Sequence, residues 1–322
     1  MNIENIVTNI ILSFPTDLVR YEKLLRLLEK KKITYIKKDD EKGANNIWKL
    51  EQIIKIISLY IESFYLLKNK KHYDAWVKFE QIDNLIFFLK KNFTIINDKL
   101  FFIEKTIFNY RILFPYHIFA SVEYIVKSAI CSICGTKLSL RSTCEHHRGI
   151  VYKGFLCVRI IKDFEVTGCS LVECPFDKTC VVFLSDENGN KIDHYNYSHI
   201  DFVVSHLDSP FENWELKVRK KLVKIEDLPN LQDENLCPCK SKKKFMDCCK
   251  NKGEVLIEDL CPILPYKEGI SKSMNVVIAT TKDIKGEMRS GDIKILSPQL
   301  HTDIFHEDSF KNALLSFKKN HV

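Results

Sequence analysis

Cys237 and Cys239 stand one residue apart, eight residues follow, and Cys248 and Cys249 are adjacent, giving a C-x-C-x8-C-C string inside "LCPCKSKKKFMDCCK". Four thiolates at about 2.3 Å from one Zn²⁺ make a tetrahedral site, provided the intervening loop turns back on itself. Pro238 and Ser241 are residue types that start such turns. Unligated cysteines belong in apolar runs, and this stretch is polar and rich in lysine, so its thiols read as metal ligands. The lysines also lower thiolate pKa and offset part of the double negative charge of a metal held by four thiolates. A second cluster lies upstream, in "CSICGTKLSLRSTCEHHRG". Cys131 and Cys134 form C-x-x-C, followed by Gly135, the residue that best tolerates the left-handed turn of a zinc knuckle. Cys144 and His146 complete C-x-x-C-x9-C-x-H within sixteen residues, and His147 or Cys157 are alternatives for the fourth position. Two structural zinc sites are therefore expected, each closed by four good ligands, with no catalytic residue assigned.

The downstream string carries a resemblance. "CPCKSKKKFMDCC" resembles the SEC-C motif, the small zinc module at the C-terminus of the SecA preprotein translocase ATPase and in many other bacterial proteins, whose usual string is close to C-P-C-G-S-G-K-K-[YF]-K-x-C-C. Cys237, Pro238, Cys239, Ser241, Lys243, Lys244, Phe245, Cys248 and Cys249 keep the pattern. Lys240 and Lys242 depart from it, where glycine would ease the turn. The wider upstream string, "CSICG" through C-x-H and G-x-x-Y-x-G-x-x-C, resembles a bacterial family of uncharacterised SEC-C-containing proteins with the same order of segments. What the first resemblance implies is a zinc-scaffolded surface that docks a protein partner and does no chemistry itself.

Enzymatic readings fit less well. A His-metal-finger nuclease built on "CEHHRG" would need a second C-x-x-C and an Asn and His on a following helix, and Asn188, Asn190 and His194 fall in a turn instead. A zinc deaminase would need H-x-E before its cysteines and an open coordination position, and the order around Glu145 is wrong. No G-x-x-x-x-G-K-[ST] phosphate loop is present. The basic runs "KVRKK" at 217–221 and "KSKKK" at 240–244 leave nucleic-acid binding as the alternative to protein recognition, although a net charge of +7 over 322 residues is modest.

These sites need a frame. The apolar residues Leu50, Ile53, Ile54, Ile57, Ile61 and Phe64, then Trp76, Phe79, Ile82, Ile86 and Leu89, then Ile103, Ile107 and Tyr110 recur at spacings of three and four, so residues 1–128 read as a helical bundle. Residues 129–232 read as a small zinc-containing mixed α/β domain with short strands in "GIVYKGFLCVRII", "GCSLVEC" and "TCVVFLSD", closed by a helix around "KVRKKLVK" and a linker. Residues 233–252 are the zinc module, and 253–322 a β-rich segment ending in a helix at "EDSFKNALLSFKKN". The fold class is thus multidomain α+β. Cys169, Cys174, Cys180 and Cys261 sit on apolar, strand-like runs and read as buried free thiols. The longest apolar stretch is interrupted by Lys55 and Glu62, so no membrane span is expected, and the N-terminus lacks the features of a secretory signal. A cytoplasmic location follows, where twelve cysteines serve as thiols or ligands and not as a disulfide framework.

Overall fold

The computed structural model describes residues 16–265 apart from 96, 140, 142, 143, 229 and 230, together with the backbone of 276–277, 293–295 and 303–305. The terminal helix expected at 307–320 and the first fifteen residues lie outside the described residues. Four helices open the chain: α1 (Leu18–Lys37), α2 (Glu41–Lys68), α3 (His72–Asn92) and α4 (Asp98–Leu113). Each boundary has a local cause. Asp17, Asp40 and Asn97 cap α1, α2 and α4 by accepting backbone N–H bonds from Val19, Gly43, and Lys99 with Leu100. The helical faces follow the apolar periodicity: Ile53, Ile54, Ile57, Ile61 and Phe64 are buried, as are Trp76, Phe79, Ile82, Ile86, Leu89, Ile103, Ile107 and Tyr110, while Leu50 is half-buried.

Helix does not continue to residue 128. The chain leaves α4 at Leu113, meets Pro115, and becomes strand β1 (Phe119–Cys131). The β-branched run Val122, Ile125, Val126, Ile130 suits a strand, and β1 pairs antiparallel with β5 (Arg159–Val172) from Phe119↔Val172 to Cys131↔Arg159. Between them lie β2 (Lys137–Leu138) and the β3–β4 hairpin (Val151–Tyr152 and Phe155–Leu156). Then come β6 (Val182–Ser185), β7 (Lys191–Ile192) and α5 (Ser198–Ser205). The expected helix around "KVRKKLVK" is instead strand β8 (Glu215–Lys224), paired along its whole length with β9 (Glu254–Ile263). Its partner lies beyond the four-cysteine loop in sequence, so the local charge pattern alone could not reveal the pairing. Short strands β10 (Val276–Val277), β11 (Ile293–Ile295) and β12 (Asp303–Phe305) add to β9, β6 and β5, the last in parallel.

One continuous hydrophobic core joins the helices to the β part: it includes Tyr21, Trp76 and Tyr110, and also Val151, Val181, Phe183, Ile200, Trp214 and Leu260. Polar bonds cross the same seam. The side chain of Asn92 donates to Gly149 O at 2.8 Å and accepts from Val151 N at 2.9 Å, and Tyr60 donates to Pro210 O at 2.6 Å. His72, buried at the start of α3, bonds Asp201 of α5 at 2.8 Å and stacks on Tyr197 at 3.9 Å. Among the described residues no helix is long and apolar enough to cross a membrane. All twelve cysteines are free. Cys180 is buried and Cys261 half-buried, but Cys169 and Cys174 are exposed. Cys169 lies on the stretch of β5 whose residues are largely open to solvent, and Cys174 lies just beyond its end.

Candidate metal centres

The downstream cluster sits at the tip of the β8–β9 hairpin, where the chain leaves at Ile225 and returns at Gly253, closed by Ile225 N donating to Gly253 O at 3.0 Å. Inside this loop Cys237 N donates to Lys243 O at 2.7 Å, Lys240 N to Cys237 O at 3.0 Å, and Cys248 N to Phe245 O at 3.1 Å. These bonds fold the eight-residue loop back so that the ligand atoms of Cys237, Cys239, Cys248 and Cys249 all lie within 4.8 Å of one another. Two sulfur pairs stand at 3.5 Å (Cys239 and Cys248) and 3.7 Å (Cys248 and Cys249). A tetrahedron with arms of about 2.3 Å has edges of about 3.8 Å, so this spacing suits one metal ion. Phe245, Cys237, Cys249, Val255 and Ile257 form a separate small core around the cluster.

The two positions where the resemblance expects glycine, Lys240 and Lys242, have φ of +62° and +63°. Both therefore carry a side chain in the left-handed region, which costs roughly 1–2 kcal/mol for a residue with a Cβ. Replacing Lys242 with glycine is expected to stabilise the module by about 1 kcal/mol after the added freedom of the unfolded chain is subtracted. A higher midpoint for its unfolding checks this. Lys240→Gly should gain less, because Lys240 pairs with Glu258.

Thiol chemistry within the cluster is uneven. Hydrogen bonding from Ser241 holds the Cys239 thiol down to about 6, whereas burial pushes Cys237 up to about 12. Ser241 Oγ also lies 3.1 Å from Cys248 Sγ.

Upstream, Cys131 ends β1 and the knuckle follows at once. Gly135 N donates to Cys131 O at 2.9 Å, Cys131 N donates to Thr136 O at 3.0 Å, and Ile133 N approaches Cys131 Sγ at 3.4 Å. Gly135 has φ +73°, and a Cβ there would meet nothing within 4 Å, so backbone conformation alone selects glycine. The loop before β3 brings Cys144 and His146 to Cys131 and Cys134, with all ligand atoms within 4.8 Å of one another. His146 Nδ1 is buried with no hydrogen-bond partner among the described residues, as a metal-binding nitrogen would be. Its ring packs edge-on against Tyr152 at 4.7 Å. Thr136, whose hydroxyl lies 3.2 Å from Cys134 Sγ, holds that thiol down to about 6. The two alternatives for the fourth position, His147 and Cys157, both lie outside this group; His147 is exposed, while Cys157 Sγ stands 3.8 Å from Cys131 Sγ. A cleft of about 650 Å³ opens beside the cluster, lined by Cys131, Cys144, His146 and Cys157 with Lys127 and Arg159.

Spacing in the sequence points to every ligand, but not to Thr136 and Ser241, whose hydroxyls tune the thiols. Asn188 and Asn190 donate backbone N–H bonds to Asp186 in the β6–β7 turn, at 3.0 and 2.6 Å. Compared with protein-family models, curated proteins and solved structures, the chain gives no significant match in any of the three.

Proposed function

We propose that this chain is a zinc-binding interaction protein, in which two zinc ions hold two small modules and the downstream module, of SEC-C type, presents a contact surface for another protein. The observation that carries this reading is the pair of four-donor clusters, each with soft ligands at the spacing of a closed tetrahedral site. Closed sites of this kind are structural, which favours recognition over catalysis. The downstream module stands at the tip of an arm with its own small core. Along that arm the register places Val218, Lys220 and Leu222 on the same face as Leu256. Val218 and Leu222 are 60% and 62% exposed, an apolar face that suits a partner segment of apolar side chains bordered by acidic ones.

The ion pairs favour protein over nucleic acid. Two of the four lysines of "KSKKK", Lys240 and Lys244, are paired with Glu258 and Glu234, and Lys250 beyond the run is paired with Asp233, so half of the charge in that run is offset within the chain and fewer counterions are released on meeting phosphates. A nucleic-acid reading rests on the exposed Lys217, Arg219 and Lys220 of β8. A tagged pull-down from host lysate, with and without nuclease, separates the two. The expected result is a discrete protein that survives nuclease and is lost both with Cys237→Ser/Cys239→Ser and with Val218→Asp/Leu222→Asp. Recovery dominated by nucleic acid that falls steeply with salt would replace this reading with the second one.

A further inference from the structure

We propose that Cys157 is a fifth donor of the upstream metal centre and takes the coordination position of His146 when the imidazole leaves. The inference rests on the upstream cluster holding zinc, as proposed above. Cys157 Sγ lies 3.8 Å from Cys131 Sγ, the edge length of a tetrahedron with arms of about 2.3 Å. The sulfur pairs of the downstream cluster stand at 3.5 and 3.7 Å, so Cys157 is spaced from Cys131 as one ligand is from another.

The backbone fixes it there from two sides. Cys157 N donates to Ile150 O at 2.8 Å and its carbonyl accepts from Gly149 N at 2.7 Å, which anchors it to the turn before β3. The next residue is tied to the knuckle itself: Ser132 N donates to Val158 O at 3.0 Å and Val158 N to Ser132 Oγ at 2.9 Å. Both sulfurs line the same cleft as Cys144 and His146.

The donors are thus unequal. Cys131 and Cys157 are 2% and 3% exposed, whereas His146 is half-buried and comes from a loop. A thiolate binds Zn²⁺ at least as well as a neutral imidazole, so loss of His146 need not empty the site. In the exchange the Cys157 thiol releases its proton to solvent, and the centre changes from three thiolates and a neutral ring to four thiolates, adding one negative charge. Arg159 on the cleft wall reduces the cost of that charge, while Lys127 there is paired with Glu165 at 2.8 Å.

The test measures metal content and sulfur coordination in this whole chain, for which two zinc ions are expected, one per cluster. His146→Ala is expected to keep both ions, with zinc X-ray absorption showing more sulfur ligands per zinc than in the unsubstituted chain. Cys157→Ser alone should also keep both, and the double variant should lose one ion while retaining the downstream one. Should the double variant not fold, the sulfur count of His146→Ala still decides the matter. Loss of an ion in His146→Ala, or an unchanged sulfur count there, overturns the inference and leaves the zinc reading intact. Fewer than two ions in the unsubstituted chain would instead overturn the zinc reading itself.

Discussion

Replacing Cys248 with serine is expected to release one metal ion per chain and unfold the segment between Ile225 and Gly253 while the main core stays folded. Cys248 is the hub of its cluster, at 3.5 Å from Cys239 Sγ and 3.7 Å from Cys249 Sγ. The small core that remains cannot hold the loop alone. Burying Phe245, Val255 and Ile257 contributes about 1.5–3 kcal/mol each, whereas ordering every residue of the loop costs about 1–2 kcal/mol. A structural zinc supplies apparent binding free energy of about 10–16 kcal/mol in small metal modules, more than those three side chains together. Amide exchange should therefore lose protection at Cys237 N, Phe245 N and Cys248 N, and a strong chelator should do the same to the unsubstituted chain. The main thermal transition should move little, because the two hydrophobic clusters are separate and distant effects add independently. Protection of this segment that persists with no metal bound would show that packing, and not coordination, holds it.

The clusters were legible because everything that builds them is local. Ligands within sixteen residues of one another upstream and thirteen downstream need only a turn between them, and the residues that allow the turn are visible in the string. Gly135 at φ +73° sits where the knuckle pattern places it. Lys240 and Lys242 take the left-handed conformation at the two positions where the resembling motif has glycine, so even the departure marked the geometry. The helices were legible for the same reason, since a period of 3.6 is read within one turn. Strands β1 and β8 were not. Cys131 pairs with Arg159 and Lys217 with Cys261, partners that no local window contains. Without them, residues 119–128 read as more of the preceding helix and the lysines of β8 read as part of a further helix. The joining of α3 to α5 through His72 and Asp201 is equally non-local, and only the assembled chain brings that imidazole to its carboxylate.

That junction can be tested at Trp76, whose replacement by alanine is expected to destabilise helices and sheet together, by about 3–5 kcal/mol. Trp76 is 3% exposed, and its ring lies 4.9 Å from Phe114, 5.0 Å from Tyr116 and 6.2 Å from Phe119. These neighbours are the residues that carry the chain out of α4 and into β1. Its indole N–H donates to Lys178 O, and the Arg111 guanidinium lies over its face at 4.7 Å. Truncation therefore opens a cavity, leaves the Lys178 carbonyl without its donor, and removes one face of Arg111, whose remaining contacts are Glu80 at 3.1 Å and Asp83 at 2.7 Å. Against a typical total stability of about 5–15 kcal/mol, the loss is a large fraction. Because the core is continuous from the helices to Trp214 and Leu260, helical circular dichroism and the fluorescence of Trp214, packed 4.9 Å from Tyr110, should fall in one coincident transition at a lower temperature. Two separated transitions, with only the helical one shifted, would mean that the helices and the β part fold independently despite their shared interface. Trp76→Phe should recover most of the loss, since it refills the cavity and gives up mainly the bond to Lys178.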